Sequence, residues 1–303
     1  MEGLDSMGRV LVTGAAGFIG NKMMQKFQAE GYEVYGWDCV SRENVAVVDL
    51  KDEEAVTRAL QEVKPSIVIH CAGSADVGMS VKFPEKDFEG NVVLTHNLLF
   101  ALHKLGMDSV SFVFISSAGV YGNPLTLPIT EDTPLNPLSP YAVHKVMCEE
   151  LCKYFAFNYK MPIKVARIFS AYGAGLRKQI FWDMHKKAVE TGRLDMFGTG
   201  NESRDYIHVN DVVESIYLMA TVESSHVIFN VANGEEKTIR EVTEIFAKYA
   251  GVDSSAIAFN GVVREGDPLN WRADISRITG LGYKKSMSME AGLEGYCEWV
   301  KEQ

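Results

Sequence analysis

The feature that most restricts this chain is a short run near its start, Gly14-Ala15-Ala16-Gly17-Phe18-Ile19-Gly20. It follows an apolar, β-branched stretch from Arg9 to Thr13 and leads directly into a helical pattern through Lys22, Met23, Met24 and Phe27. Strand, glycine-rich turn and helix in that order set the N–H groups of a helix N-terminus against a pyrophosphate, with glycine permitting the close approach. The spacing is GxxGxxG rather than GxGxxG, so the flanking strand and helix carry the reading. Gly14, Gly17 and Gly20, with Phe18 and Ile19 between them, are candidate dinucleotide contacts.

The same alternation continues downstream. Strands are expected at Glu33–Trp37, Val45–Val48, Ser66–His70, Ser111–Ser116 and Ile163–Ile168, and helices at Glu53–Val63, Asn91–Leu105 and Tyr141–Tyr159. Strands alternating with helices make an α/β chain with a doubly wound parallel sheet of Rossmann type. The Pro- and Thr-rich connection from Gly122 to Pro140 is too long for a simple link and is expected to shape a site. After Phe169 the alternation loosens. Residues 1–169 are therefore expected to form the dinucleotide-binding domain, and residues 170–204 and 233–303 a smaller C-terminal substrate-binding lobe. Residues 205–232, with a helix at Asn210–Thr221 and a strand at Val227–Val231, are expected to return to the main sheet.

Composition narrows the partners. A formal net charge of -10 without a Lys/Arg cluster argues against nucleic acid, although a few local arginines suffice for a small diphosphate. The five cysteines are scattered and unpaired in spacing, which suits reduced thiols in the cytoplasm. No pair of histidines has metal-ligand spacing, so no metal is expected. Neither a signal peptide nor a run long enough to span a bilayer is visible, so no membrane partner is expected.

Asp38 closes the second strand, where an acidic side chain accepts from the adenosine ribose hydroxyls, and this favours NAD. Arg42 lies near enough in sequence to meet a 2′-phosphate, which leaves NADP open. Asp49 and Leu50, after the third strand, are candidate adenine contacts.

Tyr141 and Lys145 stand four residues apart at the start of a helix and so share a face. A cation beside a phenol favours the phenolate, and with it acid–base work. Ser116 and Ser117 end a strand at the carboxyl edge of the sheet, where open α/β folds bind ligands. His144, inside the same helical segment, reads as a packed or exposed helix histidine more readily than as an active-site group, and His208 as a structural one.

At this point the chain resembles the extended short-chain dehydrogenases that modify nucleotide sugars, a group of epimerases, dehydratases and ketoreductases. The likeness runs through Thr13–Gly20, His70-Cys71-Ala72-Gly73, Asn91 with Asn97-Leu98-Leu99, Ser116–Gly122, Ser139–Lys145, Arg167–Gly173 and Arg204–Asp211. It implies a homodimer in which Tyr141 is the acid/base, Lys145 holds the nicotinamide ribose and Ser117 binds the reacting sugar hydroxyl. It also implies that Ala72 and Asn91 touch the cofactor and that Arg204 and Arg264 bind the diphosphate. Ser170 stands where epimerases of the group carry Asn, and Gly175–Gln179 replaces their usual nucleotide loop, so Ser170 and Gln179 are substrate candidates in an altered setting.

Members that remove water or carbon dioxide place acidic residues after the active-site Ser or Thr; here those positions are Ala118 and Gly119. Two reactions of a nucleotide-diphosphate sugar remain. One is 4-epimerisation by transient oxidation at C4, with NAD retained. The other is reduction of a 4-keto-6-deoxy sugar by NADH or NADPH. A third reading, a dinucleotide sensor without turnover, sits poorly with the presence of both Tyr141 and Lys145.

Overall fold

The structure, a computed structural model, describes residues 7–262 and 269–303. Arg264 therefore lies outside the described residues. The first half runs β1 (Arg9–Thr13), α1 (Phe18–Ala29), β2 (Glu33–Asp38), β3 (Val45–Val47), α2 (Glu53–Val63), β4 (Ile67–His70), α3 (Val77–Lys82), α4 (Pro84–Phe88), α5 (Leu94–Lys104), β5 (Ser111–Ser117), α6 (Pro140–Asn158) and β6 (Ile163–Ile168). The second half runs β7 (Ser170–Tyr172), α7 (Gln179–Thr191), β8 (Leu194–Met196), β9 (Ser203–His208), α8 (Val209–Thr221), β10 (Ile228–Val231), β11 (Glu236–Thr238), α9 (Ile239–Ala250), β12 (Ile257–Phe259), α10 (Ser276–Gly280) and α11 (Met289–Lys301).

Seven strands form one parallel sheet in the order β10-β6-β5-β4-β1-β2-β3. The inner strands β1 and β4 read as near-continuous apolar runs because both faces are covered. Alternate side chains divide between two cores. Val10, Val12, Ile69 and Val113 pack with Met23 and Phe27 of α1 and Val212 and Ile216 of α8. Leu11, Val68, Phe112 and Phe114 pack with Val56 and Leu60 of α2, Leu98 and Leu102 of α5, and Cys148 and Cys152 of α6. The chain reverses its direction of travel across the sheet between β1 and β4, and the crevice at their carboxyl ends is where such sheets bind ligands.

Three local features depart from the sequence reading. The helix expected from Asn91 begins earlier: α3 and α4 precede it, and Glu89–Val93 is a π-helical turn that leads into α5. α6 begins at Pro140, since proline suits the first helical position and Ser139 Oγ accepts from Ala142 N at 3.2 Å. Ser203–His208 does not join the main sheet; as β9 it lies between β7 and β11 in a separate three-stranded sheet. α8 packs against α1, and β10 pairs with β6. Phe181, Met184, Phe246, Leu293 and Tyr296 form a further core around α7, α9 and α11.

A buried charge network ties these parts together. Arg167 on β6 and Glu149 on α6 are 1% and 0% exposed, with Nη2 donating to Oε2 at 2.6 Å. Arg167 Nη1 also donates to Tyr121 OH at 2.8 Å and to Glu131 O at 2.9 Å. Ser116 Oγ donates to Glu149 Oε1 at 2.6 Å, and Tyr121 OH to Asn230 Oδ1 at 2.7 Å. One guanidinium thus joins α6, the end of β5, the turn after it, the Gly122–Pro140 connection and β10. Removing one partner of a buried pair strands the other charge, at a cost of about 3–5 kcal/mol. Arg167→Met is expected to lose stability on that scale in urea unfolding, while Glu149→Gln/Arg167→Met, which removes both charges, recovers part of the loss.

Candidate active site

The glycine turn is built around two close approaches. Gly14 has φ +68, and a Cβ there would lie 2.6 Å from Ala72 N at the end of β4. A Cβ on Gly20 would lie 2.1 Å from Gly14 O. Only glycine at both positions lets β1, the turn and α1 stack this tightly. Gly17 is the N-cap of α1 and provides no side-chain cap, and the first turn carries no acidic residue. The leading N–H groups of α1, behind Phe18 and Ile19, are thereby left for an anionic ligand.

Asp38 Oδ2 accepts from Ala16 N at 2.9 Å and Oδ1 from Cys39 N at 2.7 Å, which fastens the glycine turn to the end of β2. A carboxylate has lone pairs beyond these, enough for ribose hydroxyls as well. Exposed Asp49 accepts from Lys51 N at 2.9 Å, and buried Leu50 gives its carbonyl to Asn97 Nδ2 at 3.0 Å. Arg42 is exposed.

His70 is a structural link between this turn and α5. Thr95 Oγ1 donates to Asn91 O at 2.9 Å, so it accepts from His70 Nε2 at 3.1 Å. Nδ1 is then free to accept from Thr13 Oγ1 at 2.7 Å, and that oxygen accepts from Ala72 N at 3.3 Å. The directional chain assigns a neutral imidazole protonated on Nε2. Burial pushes its pKa down to about 3, and the Lys145 ammonium acts in the same direction.

Lys145 is buried on α6; its Nζ donates to Ile115 O at 3.1 Å and lies 5.8 Å from the Tyr141 ring centroid. It converges with Asn91 on Gly73, where a Cβ would meet Asn91 Oδ1 at 2.8 Å and Lys145 Nζ at 3.4 Å. Asn91 is 1% exposed and its Nδ2 donates to Asp87 O at 3.0 Å, yet its Oδ1 has no partner. A buried unpaired acceptor beside a lysine, with no side chain on Gly73 between them, is a cradle for a hydroxyl-bearing ligand, and the nicotinamide end of a dinucleotide fits it.

Half-buried Tyr141 has its backbone N fixed to Ser80 Oγ at 3.1 Å. Ser117 Oγ accepts from Gly119 N at 3.1 Å and starts the tight turn Ala118–Tyr121. Strand alternation sends its neighbour Ser116 into the Glu149 network, so Ser117 is the serine left for a ligand.

On the lobe side, half-buried Ser170 opens β7. Arg204 Nη1 donates to Ser203 O at 2.8 Å, and its guanidinium lies 5.8 Å from the Trp271 ring. Trp271 donates from Nε1 to Gly122 O at 3.0 Å and meets Phe169 edge-on at 5.6 Å. Trp271, which the sequence reading did not single out, consequently links Gly122 at the end of the Ser117 turn, Phe169 just before Ser170, and Arg204. Exposed Gln179 begins α7 with φ +64. Ser80, Asp87 and Glu149 were also missed; of these Glu149 carried a signal, four residues after Lys145 on the same helix face.

A doubly wound sheet with a glycine cradle, a Ser-ended strand and a Tyr/Lys helix defines a dinucleotide-dependent enzyme. The sequence model of the NAD dependent epimerase/dehydratase family matches residues 10–232, and the chain belongs to that family. It is 32% identical over 317 residues to a UDP-glucose 4-epimerase of Mycolicibacterium smegmatis, covering 97% of this chain and 98% of the relative. A UDP-glucose 4-epimerase of Thermotoga maritima, solved with UDP-glucose, superposes with a TM-score of 0.88 at 27% identity over 97% of this chain and 99% of that one. A UDP-glucose 4-epimerase of Thermus thermophilus in complex with NAD gives 0.85 at 29% identity over the same shares of the two chains. The protein is an NAD-dependent enzyme.

Gly14→Ala places a side chain in a left-handed backbone and into Ala72, and is expected to abolish stoichiometric NAD in purified protein, measured by release on denaturation. His70 gives a pH signature. Between pH 6.5 and about 3 the unfolded chain takes up a proton here that the folded protein does not, so stability falls as pH falls through that window. Between about pH 7 and about pH 5, wild type is expected to lose about 2 kcal/mol more than His70→Gln in urea unfolding.

Proposed function

We propose that the chain is a nucleotide-sugar 4-epimerase acting on a UDP-hexose, with Ser117, Tyr141 and Lys145 as its catalytic residues. The observation that carries this is the convergence of Lys145 and the unpaired Asn91 Oδ1 on Gly73, in a cleft whose catalytic turn continues with Ala118 and Gly119 instead of carboxylates. The epimerase names of the relatives support it over the ketoreductase alternative.

Gly14, Gly17 and Gly20, with Phe18 and Ile19, would hold the pyrophosphate, Asp38 the adenosine ribose, Asp49 and Leu50 the adenine, and Ala72, Asn91 and Lys145 the nicotinamide riboside. When bound, NAD supplies reversible hydride acceptance at the sugar C4. Tyr141 takes the proton of the C4 hydroxyl and later returns one to the same oxygen after the sugar has turned. The Lys145 ammonium stabilises the phenolate. Ser117 holds the C4 oxygen in line with Tyr141. Arg204, with Arg264, clamps the diphosphate, and a planar guanidinium suits that task. Ser170 and Gln179 complete the substrate side. Residues 170–204 and 233–303 act as the lobe that receives the nucleotide sugar.

We further propose that the enzyme acts in the cytoplasm as a homodimer. Its five thiols are all free, which suits a reducing compartment. Phe100 on α5 and Val143, Met147 and Tyr154 on α6 are exposed at 40%, 42%, 42% and 52%, an apolar strip of the kind a second copy covers.

Purified protein is expected to contain stoichiometric NAD and to interconvert UDP-glucose and UDP-galactose without added reductant. Net consumption of NADH or NADPH with a keto sugar, and no isomerisation, would reject the assignment. Tyr141→Phe is expected to lower turnover by about 10²- to 10⁴-fold, the usual scale of general acid–base catalysis, with NAD content unchanged.

A further inference from the structure

The segment between β4 and α5 touches the first turns of α6 at two polar points. Buried Ser80 Oγ accepts from Tyr141 N at 3.1 Å and donates to Val77 O at 2.7 Å. One turn further along α6, His144 Nδ1 lies 2.6 Å from Asp87 Oδ2, with side-chain exposures of 11% and 2%. Phe88 closes over the imidazole edge-on at 5.5 Å.

We infer that the hydrogen bond between His144 and Asp87 positions Lys145 and Asn91 around the nicotinamide end of the cofactor, an inference that rests on the roles proposed above for those two residues. A carboxylate this deeply buried is stable only when its charge is compensated. Asp87 Oδ1 has no partner, so the hydrogen bond from His144 Nδ1 to Oδ2 is the side-chain contact that holds the carboxylate. The short contact is of the charge-assisted kind.

The pair sits between the two groups it controls. His144 immediately precedes Lys145 on α6. Asp87 receives Asn91 Nδ2 on its own carbonyl at 3.0 Å, and the π-helical turn Glu89–Val93 that carries Asn91 starts two residues after it. A π turn adds a residue to the helical frame and re-aims the side chains within it. An anchor directly ahead of that turn fixes where Asn91 Oδ1 points, and the same anchor on α6 fixes the depth of Lys145. Asp87 and His144 are positioning residues, acting through Asn91 and Lys145.

The test separates charge from packing. Asp87→Asn keeps the shape and an acceptor for His144 but removes the charge. Phe88→Leu loosens the same contact between α4 and α6 and leaves the Asp87–His144 hydrogen bond intact. In Asp87→Asn, bound NAD is expected to exchange with labelled NAD about tenfold faster, the kinetic equivalent of about 1.4 kcal/mol. Its kcat for the UDP-hexose is expected to fall by a similar factor with KM within about twofold of wild type, since charged hydrogen bonds are worth this much. Phe88→Leu is expected to exchange NAD at the wild-type rate even where its Tm falls as far. Wild-type exchange and kcat in Asp87→Asn, or equal losses in Phe88→Leu, would overturn the inference. Should Asp87→Asn not fold, His144→Asn places a neutral donor at the position of Nδ1 and is expected to show the same pattern. If the wild-type enzyme leaves UDP-hexoses unchanged, the functional reading fails, while the NAD exchange rates still decide this one.

Discussion

The active site depends on one buried guanidinium. Arg167 is almost wholly withdrawn from water and meets Glu149, Tyr121 and the Glu131 carbonyl at once. Each contact fixes a different part of the site: Glu149 holds α6, which carries Tyr141 and Lys145, and through Ser116 it holds the end of β5 next to Ser117. Tyr121 closes the turn that Ser117 opens, and its hydroxyl passes the constraint to Asn230 on β10. A buried ion pair adds little to net stability when set against apolar residues of the same volume. What it adds here is definition, because donors and acceptors from five segments are satisfied only in one arrangement.

A second constraint governs the cofactor side, and it is steric. Gly14 leaves no room for a side chain between the end of β1 and Ala72, and the backbone there is left-handed. The His70 chain then fixes the spacing by hydrogen bonds, from Thr13 through the imidazole to Thr95 and the Asn91 carbonyl. The glycine turn and the turn bearing Asn91, far apart in sequence, are thereby set against each other by a neutral histidine held dry. The two systems meet at Lys145, which bonds to β5 and approaches the same glycine as Asn91.

Much of this was legible in the chain itself. β1 and β4 read as strands because burial on both faces leaves nearly continuous apolar runs, and the glycine turn reads as a cofactor site because strand and helix flank it. Helical spacing puts Tyr141 and Lys145 on one face, and the glycine turn and the Ser-ended strand make that pair a candidate site. What escaped was information held between segments. Ser80 and Asp87 have no local periodicity that marks them; each matters only because α3 and α4 fold back onto α6. The π-helical turn at Glu89–Val93 is invisible to a 3.6-residue pattern, so Asn91 was placed at a helix start and not inside a distorted turn. The segment from Asp205 is expected in the main sheet because a short strand followed by a helix looks alike wherever its partner strands lie, whereas β9 pairs with β7 and β11.

The unpaired acceptor on Asn91 connects these constraints to the reaction. A buried carbonyl oxygen without a donor costs about 1–3 kcal/mol, and the fold keeps it even so, beside a lysine that uses one of its three donors on a backbone carbonyl. A ligand that donates to Asn91 Oδ1 removes that cost on binding, and the gain appears as affinity for the ligand. A site of this design favours a cofactor that stays. Retention suits an epimerase, which takes up and returns the same hydride within one turnover, and is a handicap for a ketoreductase, which must exchange spent cofactor every cycle. The polar satisfaction of a single amide thus bears on the choice between two reactions that the proposed roles of Tyr141, Lys145 and Ser117 alone leave equivalent.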